Sequence, residues 1–134
     1  MIQFYFLSIV LNATAGYILI SKDESAIEFK SGFSLKSETS KLVLGILSLV
    51  IGLMKLLSVY EGDVPVAGDL FPALAGFFSG FILIFEYYRS RSTIGNSENS
   101  VKIDRVLVAN KKLIGMAALL SALLHFLFPK VLLL

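Results

Sequence analysis

The chain of 134 residues contains no cysteine and only one histidine. Without cysteine it has no disulfide, no thiolate ligand and no thiol for palmitoylation, so composition leaves its redox compartment open. A single histidine makes a metal site only with ligands of other kinds, and no acidic residue falls inside the long apolar runs of the chain. We therefore expect neither a bound metal ion nor a cofactor.

Charged residues are also scarce, at 16% of the chain against about a quarter in a typical soluble domain. The hydrophobic residues, 56% of the total, gather into four long runs. A helix needs roughly 20 such residues to cross a hydrocarbon core about 30 Å thick. The sequence predicts an all-α, integral membrane four-helix bundle in a single domain, with spans at about 1–21, 42–60, 70–88 and 113–131. The first run lacks the positively charged start of a secretion signal, so we interpret it as a retained helix.

The signatures of catalysis and of nucleic-acid binding are missing too. The chain has no glycine-rich phosphate loop, and its sequence pattern sets no serine or tyrosine next to a catalytic base. A basic helix with interleaved aromatic residues, which is typical of nucleic-acid binding, is also absent. We therefore expect a protein that is not an enzyme and does not bind nucleic acid.

Positive charge is absent from the connection at 61–69, which contains only acidic charged residues. Ten of the twelve basic residues fall in the connections at 22–41 and 89–112. Because positively charged short loops stay in the cytoplasm, we expect these two connections inside the cell. Both termini and 61–69 then lie outside. The compact loops and the absence of an organelle-targeting segment favour a prokaryotic inner membrane.

The two cytoplasmic connections carry a pattern of their own. Apolar and polar residues alternate at 26–36 and again at 101–108. This alternation predicts either a short hairpin or a segment lying at the membrane interface. The alternative is a partly ordered loop that rests on the lipid headgroups.

The spans also predict an internal repeat made of two helical hairpins. The first span aligns with the third and the second with the fourth, and the longer second cytoplasmic connection absorbs the difference between the two offsets. Both hairpins enter the membrane from the same side, which would give a parallel repeat about an axis along the membrane normal. Chance similarity between apolar helices is the alternative. The aligned pairs are Gly16 with Gly80, Lys41 with Lys111, Gly45 with Gly115, and Lys55 with His125.

Each span carries one narrow stripe of small residues. Lipid tails are as apolar as leucine, so membrane helices associate through close backbone packing, and small residues mark the contacts. The stripes predict helix packing within one chain, and a homodimer face is the alternative. The residues are Ser8 and Gly16 in the first span, Gly45 and Gly52 in the second, Gly76 and Gly80 in the third, and Gly115 and Ala122 in the fourth.

Three polar residues within the spans are the candidate ligand-binding residues. Lys55 and His125 each continue a small-residue stripe towards the outer surface, and Asn12 lies near the middle of the first span. Ionisable groups that face the interior of a bundle mark functional sites by default. In that case Lys55 and His125 would bind an anionic or polar solute in an outward-open vestibule. The alternative is a lysine that extends to the interface, a histidine bonded to a backbone carbonyl, and an asparagine that joins two helices.

Two functions remain open at this level. The absence of catalytic signatures and the small-residue stripes favour a non-enzymatic accessory or assembly subunit of a membrane complex. Its expected partners are the lipid bilayer and either other membrane-protein subunits or a second copy of the chain. The alternative is a small solute transporter or channel with an outward-facing polar site at Lys55 and His125.

Overall fold

Four long α-helices make up nearly all of the described part of the chain. The computed structural model describes residues 2–21, 34–35, 37–57, 70–91 and 98–128. All four helices are long and apolar enough to cross a membrane. The predicted all-α, four-helix membrane class is thereby confirmed, while the connection at 61–69 lies outside the described residues. The helices are α1 (Ile2–Ile20), α2 (Glu38–Leu57), α3 (Leu70–Arg91) and α4 (Glu98–Leu127).

Helix α2 begins four residues before the apolar run because serine hydroxyls cap it. The Ser37 Oγ accepts a hydrogen bond from the backbone N–H of Ser40 at 3.2 Å, which is the geometry of an N-cap. The Ser40 hydroxyl in turn donates to the Ser34 carbonyl at 2.9 Å. These bonds satisfy polar groups that the start of a helix otherwise leaves without partners. The polar residues at 38–41 therefore join the helix.

Helix α4 has 30 residues and starts well before the predicted fourth span. The hairpin predicted at 101–108 is wrong, because this segment is helical, whereas 26–36 lies almost entirely outside the described residues. Eight residues are too few to separate a strand pattern from one face of a helix. No glycine or proline occurs between 98 and 114 to stop the helix. Helix α4 ends at Leu127, two residues before Pro129, as expected from the restriction that proline imposes on the residue before it.

The helices are arranged with a diamond-shaped cross-section. Helix α1 packs most extensively against α4, and α2 packs most extensively against α3. Helices α1 and α3 also contact each other across the middle of the bundle, whereas within the described residues the backbones of α2 and α4 do not approach. Any contact between α2 and α4 therefore requires long side chains that reach across the interior.

Small residues line the closest helix contacts inside the bundle, whereas large apolar side chains cover its outer surface. Ala15 and Ala73 are completely buried, whereas Phe6 and Leu113 are 60% and 62% exposed. A surface of this kind would drive aggregation in water, but it matches the hydrocarbon of a bilayer. Small interior residues allow the close backbone approach that holds membrane helices together. The burial pattern therefore fits lipid as the solvent.

The two ends of the bundle differ in chemistry. We call the end where Lys41, Glu86 and Lys111 meet the basic end, and the end where Lys55 and His125 meet the pair end. Helices α2 and α4 run from the basic end to the pair end, and α1 and α3 run in the opposite direction. Between the ends, nearer the basic end, lies an apolar cluster of buried side chains from α1 and α3. Its members are Ala15, Ile18, Leu19, Ile82 and Leu83.

A buried lysine–histidine site as the candidate functional site

Lys55 and His125 meet inside the pair end of the bundle. The Lys55 Nζ lies 2.7 Å from the His125 Nε2, although their helices do not pack against each other elsewhere. The two residues are only 5% and 1% exposed. Lys55 therefore reaches inward across the bundle instead of outward to the interface, and the contact joins the two helices at opposite corners of the diamond.

Close helix packing turns Lys55 and His125 towards the interior. Lys55 follows Gly52 by three residues, and a Cβ on Gly52 would lie 2.8 Å from the carbonyl oxygen of Ala73. Because α2 meets α3 so closely at Gly52, the next residue on this face also points inward. His125 follows Ala122 by three residues, and Ala122 is buried as well. The small-residue stripes thus predicted the inward orientation of both residues.

Tyr5 of α1 is the third residue of the site, and it is not among the site residues predicted from the sequence. Its hydroxyl donates a hydrogen bond to the backbone carbonyl of His125, and the two ring centroids are 4.4 Å apart. The Lys55 Nζ lies 5.6 Å from the centroid of the Tyr5 ring, within the range of a cation–π interaction. A signal was present in the sequence, because Tyr5 lies three residues before Ser8 and so extends the stripe of the first span towards the pair end.

The contact between Lys55 and His125 limits which protonation states the two side chains can have together. A hydrogen bond between two nitrogens requires that one of them accepts, whereas an ammonium and a protonated imidazole nitrogen only donate. The pair therefore keeps this bond only while at least one of the two nitrogens carries a lone pair. A proton or an anion that enters the site must change this bond, because an anion recruits both groups as donors. The arrangement is suited to binding protons or small anions.

Polar side chains continue from the pair towards the middle of the bundle. Ser121 lies one turn before His125 on α4 and is completely buried, and Ser48 of α2 is 1% exposed. Within the described part of the chain, neither hydroxyl oxygen has a hydrogen-bond partner. Ser79, by contrast, donates to the carbonyl of Ala75 on its own helix at 2.7 Å. Two buried hydroxyls thus retain hydrogen-bonding capacity between the pair and the middle of the bundle.

Asn12 joins α1 to α3 near the level of Ser48. Its side-chain Nδ2 donates to the carbonyl oxygen of Pro72 at 3.0 Å, and the residue is 2% exposed. Its Oδ1 lies 3.0 Å from the position of a Cβ on Gly76, so a larger residue at position 76 would crowd the amide. This geometry is the one expected of an asparagine that joins two helices, which is one of the two roles predicted for Asn12. Its role as a ligand contact stays a prediction.

The glycine contacts nearer the basic end are matched in the two halves of the chain. A Cβ on Gly16 would lie 2.7 Å from the carbonyl oxygen of Gly115, and a Cβ on Gly80 would lie 2.6 Å from that of Gly45. In the predicted alignment Gly16 corresponds to Gly80 and Gly115 to Gly45, so the first contact is the counterpart of the second. All eight small residues that the sequence selected are buried.

Glu86 links two lysines at the basic end. Its Oε1 accepts a hydrogen bond from the Nζ of Lys111, and its Oε2 lies 3.9 Å from the Nζ of Lys41. Lys41 also pairs with Glu38 on its own helix at 3.2 Å. Helices α2, α3 and α4 therefore share one ion-pair network at this end. The sequence indicates this network only through the predicted repeat, in which Lys41 is aligned with Lys111. Equivalent lysines of two repeats can contact one common partner.

Comparisons with known proteins define a family without a known activity. A model of an uncharacterised protein family matches residues 1–125. An uncharacterized protein of Treponema pallidum (strain Nichols) is 37% identical over 131 residues, which cover 96% of this chain and 95% of that protein. The chain therefore belongs to this uncharacterised family. No solved structure matches the chain.

Proposed function

We propose that this chain is a small membrane transporter that binds an anionic solute or a proton at Lys55 and His125, from the outer side of a prokaryotic inner membrane. The observation that carries the proposal is the buried contact of 2.7 Å between the Lys55 Nζ and the His125 Nε2. Tyr5 covers this pair, and the hydroxyls of Ser121 and Ser48 continue the polar surface inward.

The energetics of burial support a functional role for the pair. Ionisable side chains inside a membrane are costly and usually mark solute or proton pathways. If stability alone mattered, well-packed apolar residues of similar volume would serve as well as a buried polar pair. Two basic groups also do not neutralise each other, unlike a lysine with a carboxylate. Their juxtaposition therefore favours the binding of anions or protons.

The apolar cluster near the basic end supports a transporter over a permanently open channel. Ala15, Leu19 and Leu83 are no more than 1% exposed and fill the interior between the pair end and the basic end. A continuous aqueous pore requires polar groups or a wider lumen along its length. A buried polar site on one side of an apolar seal is the arrangement expected of a transporter whose site is separated from the opposite side of the membrane.

Flux measurements in liposomes test this proposal. We expect the purified protein to transport lactate, chloride or phosphate, or to dissipate a pH gradient. Lys55→Gln and His125→Gln should each lower the rate about tenfold or more, because each removes a charge-assisted hydrogen bond worth about 1.5–3 kcal/mol. Lys112→Gln is the matched control, since Lys112 is exposed at the opposite end. Flux that persists in both site variants would refute the assignment of the site.

We also propose that the chain arose by duplication of a helical hairpin. The reciprocal glycine contacts support this, because Gly16 meets Gly115 as Gly80 meets Gly45. Their neighbours correspond as well: Leu119 lies against Gly16, and Leu49 lies against Gly80. Transporters built of parallel repeats bind their solutes near the repeat interface. The equivalence of Lys55 with His125 would then give one residue of the pair from each repeat.

The proposed orientation has the basic end in the cytoplasm and can be tested by single-cysteine labelling. The natural chain has no cysteine, so an impermeant maleimide reacts only with an introduced thiol. We expect Phe128→Cys, exposed beyond the pair end, to react in intact cells. Arg105→Cys, exposed on the part of α4 that precedes the apolar span, should react only after the membrane is permeabilised. The opposite labelling pattern would reverse the orientation.

A role as an accessory or assembly subunit is the second candidate function. The observation that favours it is the length of α4, whose apolar span begins only at Ala109. The preceding part of the helix extends roughly three turns, or about 16 Å, past the span. Val101 and Val106 are 42% and 60% exposed on this extension and offer a surface for another subunit. Absence of flux from the unaltered protein would make this candidate the leading one.

A further inference from the structure

A groove runs between α3 and α4 at the basic end, away from the lysine–histidine pair. It is a shallow groove that is open on one side. The groove begins within the apolar span of α3 and reaches the first turn of the apolar span of α4. It therefore lies at the level where hydrocarbon gives way to lipid headgroups. Its lining residues are Ile82, Phe85, Glu86, Arg89, Leu107 and Lys111.

The lining combines an apolar surface with an excess of positive charge. Ile82 and Phe85 form the deeper part, whereas Lys111 and Arg89 lie nearer the end of the bundle. Glu86 is the one acidic residue of the lining, and it already faces two lysines, Lys111 and Lys41. The charged residues of the lining are Lys111, Arg89 and Glu86, so the lining carries a formal charge of +1.

Lys111 can bind a second anion while it keeps its hydrogen bond to Glu86. Its ammonium has three N–H donors, and the contact with Glu86 uses one oxygen of that carboxylate. Its side chain is 28% exposed, so the ammonium is accessible from the open side of the groove. A phosphate group beside it would complete a chain of alternating charges from Lys41 through Glu86 and Lys111.

We infer that this groove binds an anionic phospholipid, with its phosphate at Lys111 and Arg89 and its acyl chain along Phe85. Basic pockets between membrane helices on the cytoplasmic side are suited to acidic headgroups. The apolar half of the groove gives the lipid a contact that inorganic phosphate lacks. The inference is independent of the proposed transport, because Lys55 and His125 lie at the opposite end of the bundle.

Lipid retention measured by native mass spectrometry in a neutral detergent tests this inference. We expect the protein to retain phosphatidylglycerol in preference to phosphatidylcholine. Each basic residue near a membrane surface contributes about 1 kcal/mol, so Lys111→Gln and Arg89→Gln should each weaken phosphatidylglycerol retention about fivefold. Lys112→Gln is the matched control, because Lys112 is the next residue but is absent from the groove lining and should change retention by less than about twofold.

Two further measurements distinguish the alternatives. Arg89→Gln leaves the contact between Lys111 and Glu86 in place, so a loss of retention in this variant does not depend on that contact. Added phosphatidylglycerol should raise the melting temperature, whereas the same concentration of inorganic phosphate should not. Equal losses in Lys112→Gln and Lys111→Gln would overturn the inference, and so would equal stabilisation by inorganic phosphate.

Discussion

Replacing Gly80 with leucine will lower the free energy of unfolding of the bundle by about 3 kcal/mol or more. Even a methyl group at this position would lie 2.6 Å from the carbonyl oxygen of Gly45 and 2.9 Å from the backbone nitrogen of Leu49. Both atoms belong to the backbone of α2, so no side-chain rotation relieves the clash. The helices must separate, and the loss is measurable by thermal melting or by titration with a denaturing detergent.

Ala117→Leu is the matched control for this variant. It introduces the same side chain on the exposed surface of α4, where lipid accommodates it, and it should leave stability nearly unchanged. Gly16→Leu should be as harmful as Gly80→Leu, because a Cβ on Gly16 would meet the carbonyl oxygen of Gly115 at 2.7 Å. Unchanged melting of both glycine variants would show that these contacts do not hold the bundle together.

Replacing Lys55 with methionine and His125 with leucine together will yield a bundle about as stable as the original, although each single change is destabilising. Breaking a buried polar pair removes one hydrogen bond from the remaining group, which costs about 1–3 kcal/mol. Replacing both groups by apolar side chains of similar size removes that cost. The coupling energy of the double-mutant cycle should therefore reach about 1–3 kcal/mol.

The measurements for this cycle are melting in detergent and flux in liposomes on the same four proteins. All three variants should lose transport, including the stable double variant. Lys112→Met serves as the control for removal of an exposed lysine and should alter neither property. A double variant that is less stable than either single variant would make the pair a structural element and would weaken the proposed transport site.

Much of the fold follows from the sequence because hydrocarbon imposes strict rules on a chain. Runs of about 20 uncharged residues have few alternatives to helices in a bilayer. The starts of α1 and α3 therefore fall within one residue of their predicted positions. The stripes of small residues identified the buried face of each helix, and they brought Lys55 and His125 to the interior, since both lie on those faces.

The remaining features depend on which helices become neighbours, and spacing along one helix does not determine that. Tyr5 joins the site because α1 packs against α4, and no pattern within the first span specifies this partner. Glu86 gains its role from two lysines on different helices. The helical start of α4 was missed because eight residues with apolar side chains at alternate positions fit a strand as well as a helix.

The pairing of the helices has a consequence for how the chain is made. Helix α2 finds its principal partner, α3, as soon as the next segment is synthesised, but α1 packs chiefly against α4, the last helix to appear. The earliest part of the protein therefore waits in the bilayer until synthesis is nearly complete. Tyr5 and His125, separated by 120 positions, are among the final residues to meet. A chain cut short before α4 would leave its first helix without its main partner.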